Sequence, residues 1–169
     1  TVVNGKVVNT NVVAIALRFS WPVQKSGVFL AGFAVAGTYE KDLRIAANFK
    51  LQWYTQANIN DPGDAIAINR VYDAVGTQNH AENRTRLYKD GQNVASGTSL
   101  SYLGYSAPPI HLGGAFAASL RTALMAYHLY IWRRELSPEE VLWLHAEPYA
   151  FLQPVIRRRW FMPSAAEAP

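Results

Sequence analysis

The stretch "RLYKDGQNVAS", Arg86 to Ser96, constrains this chain more than any other. Asp90-Gly91 is flanked by Leu87, Tyr88 and Val94 in runs that alternate apolar and polar residues. A type I′ turn needs positive φ at both central positions, and Asp-Gly supplies them at little steric cost. An antiparallel hairpin is therefore expected here. Strand-type segments recur on both sides of it. "NVVAIALRFSW" (Asn11 to Trp21) mixes β-branched and aromatic residues and stops at Pro22, and "GVFLAGFAVAG" (Gly27 to Gly37) is apolar and bracketed by glycines. "DLRIAANFKLQWYTQ" (Asp42 to Gln56) divides at a turn at Ala47-Asn48, with Leu43 and Ile45 sharing one face and Phe49, Leu51 and Trp53 following. "AIAINRVYDAVGT" (Ala65 to Thr77), "PIHLGG" and "ALMAYHLYIW" read as further strands. About eight to ten short strands separated by turn chemistry predict an all-β fold, an antiparallel sandwich or barrel.

One helix interrupts the pattern. In "RRELSPEEVLWLHAEP", Ser137 is followed three residues later by Glu140, which forms a capping box, and Pro138 takes the first helical position. Leu136 can staple to Val141, the glutamates face the positive end of the helix dipole, and Pro148 ends the run after about two turns. Val141 and Leu144 are expected to face the core.

Half of the 169 residues are hydrophobic, 12% are aromatic and 17% are charged, so a large core can be buried and the composition argues against disorder. The absence of cysteine rules out disulfides and thiolate zinc sites. No run of apolar residues is long enough for a membrane-spanning helix. The net charge of +4 is localised: Arg157, Arg158 and Arg159 lie together, Arg133 and Arg134 mark a strand end, and the remainder is close to neutral. Without basic residues spread along a strand face, specific nucleic-acid binding is not expected. A domain over residues 1–148 followed by an extension over 149–169 is the organisation read here. The opening threonine suggests a processed product or a fragment.

The ending "RRELSPEEVLWLHAEP", the hairpin "RLYKDGQNVAS", and the strands "VYDAVGT" and "NFKLQWYT" together resemble the laminin-G-like, concanavalin A-like jelly rolls between Asn11 and Tyr149. The resemblance implies a two-sheet antiparallel β-sandwich of roughly a dozen strands with one short C-terminal helix. In "MAYHLYIW", Tyr127 and His128 replace the acidic pair that often precedes the helix in that family, so a rim calcium site is not carried over. The extension "EPYAFLQPVIRRRW" resembles the ends of such domains in tailed-phage and prophage structural proteins.

Candidate chemistry is sparse. Sandwich glycosidases need two carboxylates about 5–9.5 Å apart, and no Glu-x-Asp or Glu-x-Glu is expected on any strand. No nucleophile motif and no phosphate loop is present, so no catalytic residue is assigned and no enzyme is expected. Asn58, Asn60, Asp61 and Asp64 in "NINDPGD" offer oxygen ligands for calcium, yet they are also turn residues, and no cofactor is required. His80, His111, His128 and His145 show no mutual metal spacing. Aromatic side chains are the binding candidates: His128 and Tyr130 on the outward face of "HLYIW", and Trp53 with Tyr54 at another strand end. Trp132 is expected to be covered by the helix. Arg157, Arg158, Arg159 and Trp160 are candidate partner contacts. The expected function is a non-catalytic structural or adhesive accessory domain of a larger assembly, of the phage virion decoration kind, placed in a virion or extracellularly. Its partners would be capsid, tail or identical subunits. The alternative is a carbohydrate-binding, lectin-like module that takes glycans.

Overall fold

A computed structural model of the chain describes residues 2–3, 6–7, 12–35, 38–55, 58–98, 109–114 and 121–152. The strands are β1 (Val2–Val3), β2 (Lys6–Val7), β3 (Val12–Ser20), β4 (Val28–Val35), β5 (Thr38–Ile45) and β6 (Leu51–Tyr54), then β7 (Asn58–Asn60), β8 (Val71–Asn79), β9 (Arg84–Lys89), β10 (Gln92–Gly97), β11 (Ile110–Leu112) and β12 (Met125–Trp132). Helix α1 (Pro138–Ala146) and a 3-10 turn (Ala150–Leu152) follow. Two five-stranded sheets form a jelly-roll β-sandwich: the first runs β10-β9-β8-β3-β12, the second β11-β4-β5-β6-β7, and β1 pairs with β2. The pairings are antiparallel.

Strand β3 explains the layering. Its odd residues Val13, Ile15, Leu17 and Phe19 enter the space between the sheets and meet Leu30, Phe33, Leu43, Ile45, Leu51 and Trp53 of the second sheet. Its even residues Ala14 and Ala16 point outward, where Val75 and Tyr88 join them beneath Leu136, Val141 and Leu144. The apolar run "VAIAL" from Val13 to Leu17 is therefore buried on both sides, and alanine on the outer side lets the helix approach closely. Each fully buried Val or Leu of the helix contributes roughly 1.5–3 kcal/mol of burial. No helix among the described residues is long and apolar enough to cross a membrane.

The local chemistry behaves as the residues dictate. Asp90 and Gly91 take φ of 51° and 80° at the hairpin tip, and the Asp90 N–H donates to the Asp73 carbonyl at 2.8 Å. Ser137 Oγ accepts from the Glu140 N–H at 3.2 Å while Glu140 accepts from the Ser137 N–H at 2.9 Å, completing the capping box. Leu136 and Val141 share one cluster, as the staple requires.

Three expectations are corrected. Residues 65–70 are not extended strand; β8 begins at Val71. Phe49 lies in the β5–β6 turn with φ of 62°, where its N–H donates to Ala46, and does not extend the strand face of Leu51 and Trp53. Strand β5 starts at Thr38, before Asp42, so Glu40-Lys41-Asp42 does lie on a strand. The ladder steps from Phe33–Lys41 to Ala34–Tyr39, leaving Glu40 as the extra residue of a bulge and interrupting simple alternation.

Candidate functional site

The sequence-derived binding residues separate in space. Trp53 is wholly buried between the sheets, and a Cβ on Gly76 of β8 would overlap its ring. Trp53 is a core residue and presents no contact surface. Tyr54, its neighbour, turns to the other face of the second sheet, where the Arg44 guanidinium lies 4.1 Å from its ring centre. Arg44 also holds Asp42 through Nε at 2.5 Å and Nη2 at 2.6 Å. Asp42 is fully buried, and that burial pushes its carboxyl up to about 6 although the arginine pulls the other way.

His128 and Tyr130 do share a face with Trp132. The imidazole stacks on Tyr130 at 4.5 Å, Tyr149 meets it edge-on at 5.7 Å, and Tyr130 approaches Trp132 at 5.7 Å. The Tyr130 hydroxyl donates to the Pro148 carbonyl at 3.2 Å. The chain leaving α1 thus packs on this ladder, and all three rings are partly buried. Burial lowers the His128 pKa below the usual histidine value.

In "NINDPGD", Asp61 is buried, accepts from the Gly63 N–H at 2.8 Å and pairs with Lys89. Asn60 accepts from Gln52 at 2.6 Å, whereas Asp64 is exposed. These groups anchor a turn, and Asp61 is already neutralised by its lysine. Arg157, Arg158, Arg159 and Trp160 lie outside the described residues.

A different site emerges at the start of α1. A hollow of about 150 Å³ lies among Trp132, Trp143, Leu136 and Leu144, with Arg134 and Glu140 at its polar edge. Arg134, Leu136 and Glu140 also line an open cleft of about 550 Å³ that continues to Asn79, Arg84, Arg86 and Glu135. The fold supplies each part: Trp132 ends β12, Trp143 lies on the outer side of α1, and Arg84 and Arg86 alternate on β9. Trp143 is 48% exposed, a large solvent cost for an indole on a helix whose neighbours Val141 and Leu144 are buried.

Charge in the cleft is ordered around two carboxylates. Glu135 accepts from Arg84 at 2.9 and 2.6 Å, from Arg86 at 3.4 Å and from Asn79 at 3.3 Å. Burial pushes the Glu135 carboxyl up, but the hydrogen bonds from Arg84 and Asn79 and the nearby guanidinium charges bring it below the usual value. Arg134 grips Glu140 with two bonds of 2.7 and 2.6 Å, and this grip, with the capping bond to Ser137, lowers the Glu140 pKa as well. Both carboxylates are therefore ionised acceptors at neutral pH, framed by guanidinium donors and an aromatic hollow.

From the sequence alone Arg133 and Arg134 read as charges at a strand end, and Trp143, Arg84 and Arg86 do not stand out. One signal was available. Four consecutive apolar residues, "VLWL", cannot all face inward on a two-turn helix, so at least one had to remain for something other than the core.

No family model matches the chain, and no curated protein matches it. Solved structures do. A Trypanosoma rangeli sialidase in complex with 2,3-difluorosialic acid is 17% identical with a TM-score of 0.63, covering 79% of this chain and 22% of that one. A putative carbohydrate binding protein from Bacteroides ovatus is 11% identical with a TM-score of 0.65, covering 82% and 43%. The native heptameric SAP-like pentraxin from Limulus polyphemus is 13% identical with a TM-score of 0.65, covering 84% and 73%. The chain thus spans about a fifth of the sialidase. These likenesses establish the fold alone, a two-sheet antiparallel jelly-roll β-sandwich. They lend no support to a phage virion decoration role.

Proposed function

We propose that this chain is a carbohydrate-binding, lectin-like module whose sugar site is the hollow between Trp132 and Trp143 and the polar cleft that adjoins it. The observation that carries the reading is the junction of the two: an aromatic-lined hollow and a set of ionised donors and acceptors share Arg134 and Glu140. A pyranose has an apolar C–H face, which suits an indole, and a rim of hydroxyls, which suits guanidinium and carboxylate groups. The proteins whose fold this sandwich resembles include a putative carbohydrate binding protein and a sialidase in complex with 2,3-difluorosialic acid, which is consistent with that use. Binding without hydrolysis fits the electrostatics, because arginine contacts keep both Glu135 and Glu140 below the usual carboxylate pKa and neither is poised as a general acid.

A glycan array followed by calorimetry on the strongest sugar tests this. The wild-type chain should bind, and Trp143→Ala should weaken binding by more than about tenfold, in the range of aromatic hot spots. Its unfolding midpoint should stay close to wild type because the indole is half exposed. An array without hits, or Trp143→Ala binding as wild type, refutes the assignment. The exposed Leu142, Tyr149 and Leu152 on the same helix and the turn after it favour a second reading, a docking face for a protein subunit of a larger assembly. Self-association lost on changing Leu142 and Trp143, with an empty array, would select that reading instead.

A further inference from the structure

At the other end of α1, three ligand-bearing side chains from three separate elements converge. Asp73 of β8, Asp90 of the hairpin tip and His145 of the last helical turn each place a possible ligand atom within 4.8 Å of the others. His145 Nδ1 is 2.6 Å from Asp73 Oδ2. The Asp73 N–H donates to Asp90 Oδ1 at 3.0 Å, which holds the second carboxylate beside the first. Gly91 lets the imidazole lie against the hairpin, since a Cβ there would come within 3.1 Å of the His145 side chain. A second observation points to the same spot. A cavity of about 10 Å³ is bounded by Asp73, Gly91, His145 and His128, and the buried Nδ1 of His128 has no hydrogen-bond partner.

We propose that this cluster is a binding site for a divalent transition metal, with zinc as the type ion, ligated by His145 Nδ1 and the carboxylates of Asp73 and Asp90, with His128 positioned at the cavity wall to supply a fourth nitrogen. Mixed imidazole and carboxylate donors suit zinc, whereas calcium prefers an all-oxygen set. The site also lies at the negative end of the α1 dipole, which favours a cation. Two guanidiniums face it: Arg18 is 3.6 Å from Asp73 and Arg70 is 3.4 Å from Asp90. Their side chains are 31% and 64% exposed, so both can swing into water when a metal takes over the carboxylates. The inference does not rest on the sugar site, whose charged groups Arg134 and Glu140 lie at the start of the helix, although Leu144 borders both hollows.

The test titrates the full chain with zinc by calorimetry and with cobalt by visible absorption, alongside thermal unfolding. One equivalent should bind and raise the unfolding midpoint. Asp90→Asn keeps the amide-oxygen acceptor for the Asp73 N–H and should weaken binding by about tenfold or more. His145→Gln should abolish it, and sugar binding should be unaffected in both variants. No heat and no midpoint change in the wild type overturns the proposal. So does zinc binding that is unaltered in Asp90→Asn, a variant that retains the hairpin bond and reports even if His145→Gln fails to fold.

Discussion

Replacing Asp42 by asparagine separates two opposing effects at one buried carboxyl. Asp42 is inaccessible to water and is gripped by Arg44 through two short bonds. Burial dominates, so the folded-state pKa is about 6 against an ordinary 3.8, the arginine offsetting only part of it. A raised folded-state pKa means that the stabilising contribution is complete below the unfolded value and is lost as pH climbs through about 6. At about 1.4 kcal/mol per pH unit, the difference amounts to about 3 kcal/mol. Asparagine keeps the volume and one acceptor for Arg44 but cannot titrate. Urea unfolding of both proteins at matched pH values, from about 3 to about 7, isolates the term because the other titrating groups cancel in the difference. Wild type should lose about 3 kcal/mol relative to Asp42→Asn on going from the acid to the neutral end. If wild type instead gains on the variant as pH rises, the bidentate arginine outweighs burial and the reasoning fails.

Other outcomes follow from the same geometry. Gly76→Ala drives a methyl into the ring of the buried Trp53, and chemical unfolding should show a loss of about 1–3 kcal/mol or more, typical of overpacking. Ser137→Ala removes the cap oxygen that accepts from Glu140, which should cost about 1 kcal/mol by the same assay. Glu135→Gln strips charge from the hub that holds Arg84, Arg86 and Asn79, with an expected loss of roughly 1.5–3 kcal/mol near neutral pH. Because the Glu135 pKa is lowered in the fold, its stabilisation is present above the ordinary carboxylate value and lost as pH falls through the folded value. The gap between wild type and Glu135→Gln should therefore close in acid.

What was legible in the sequence was what neighbouring residues decide. Asp90-Gly91 specifies its turn and Ser137 with Glu140 specifies its cap, whatever surrounds them. The period of two placed Leu43 with Ile45 and Leu51 with Trp53 on faces that the sheets do bury. It could not tell which end of a strand would be open, so Trp53 looked like a contact residue. The cleft was illegible for another reason: Arg84 and Glu135 are 51 residues apart and meet only because β9 and the β12–α1 connection are brought together. The same holds for Asp73 and His145, 72 residues apart. No spacing rule relates such pairs. Glu40 is hidden from the pattern because a bulge extends β5 beyond the stretch where alternation is visible.

The position of β3 also sets the order in which this protein can be completed. It lies between β8 and β12, and Ser20 pairs with Met125, a separation on the order of a hundred residues that makes for slow, non-local folding. Until the last strand and α1 arrive, one edge of β3 and its alanine-lined outer surface are uncovered. A chain emerging from a ribosome, or one cut before Trp132, carries an unpaired strand edge open to another chain. Chains that stop short of β12 and α1 should therefore associate with one another through that edge, while chains that reach the end of α1 cover it.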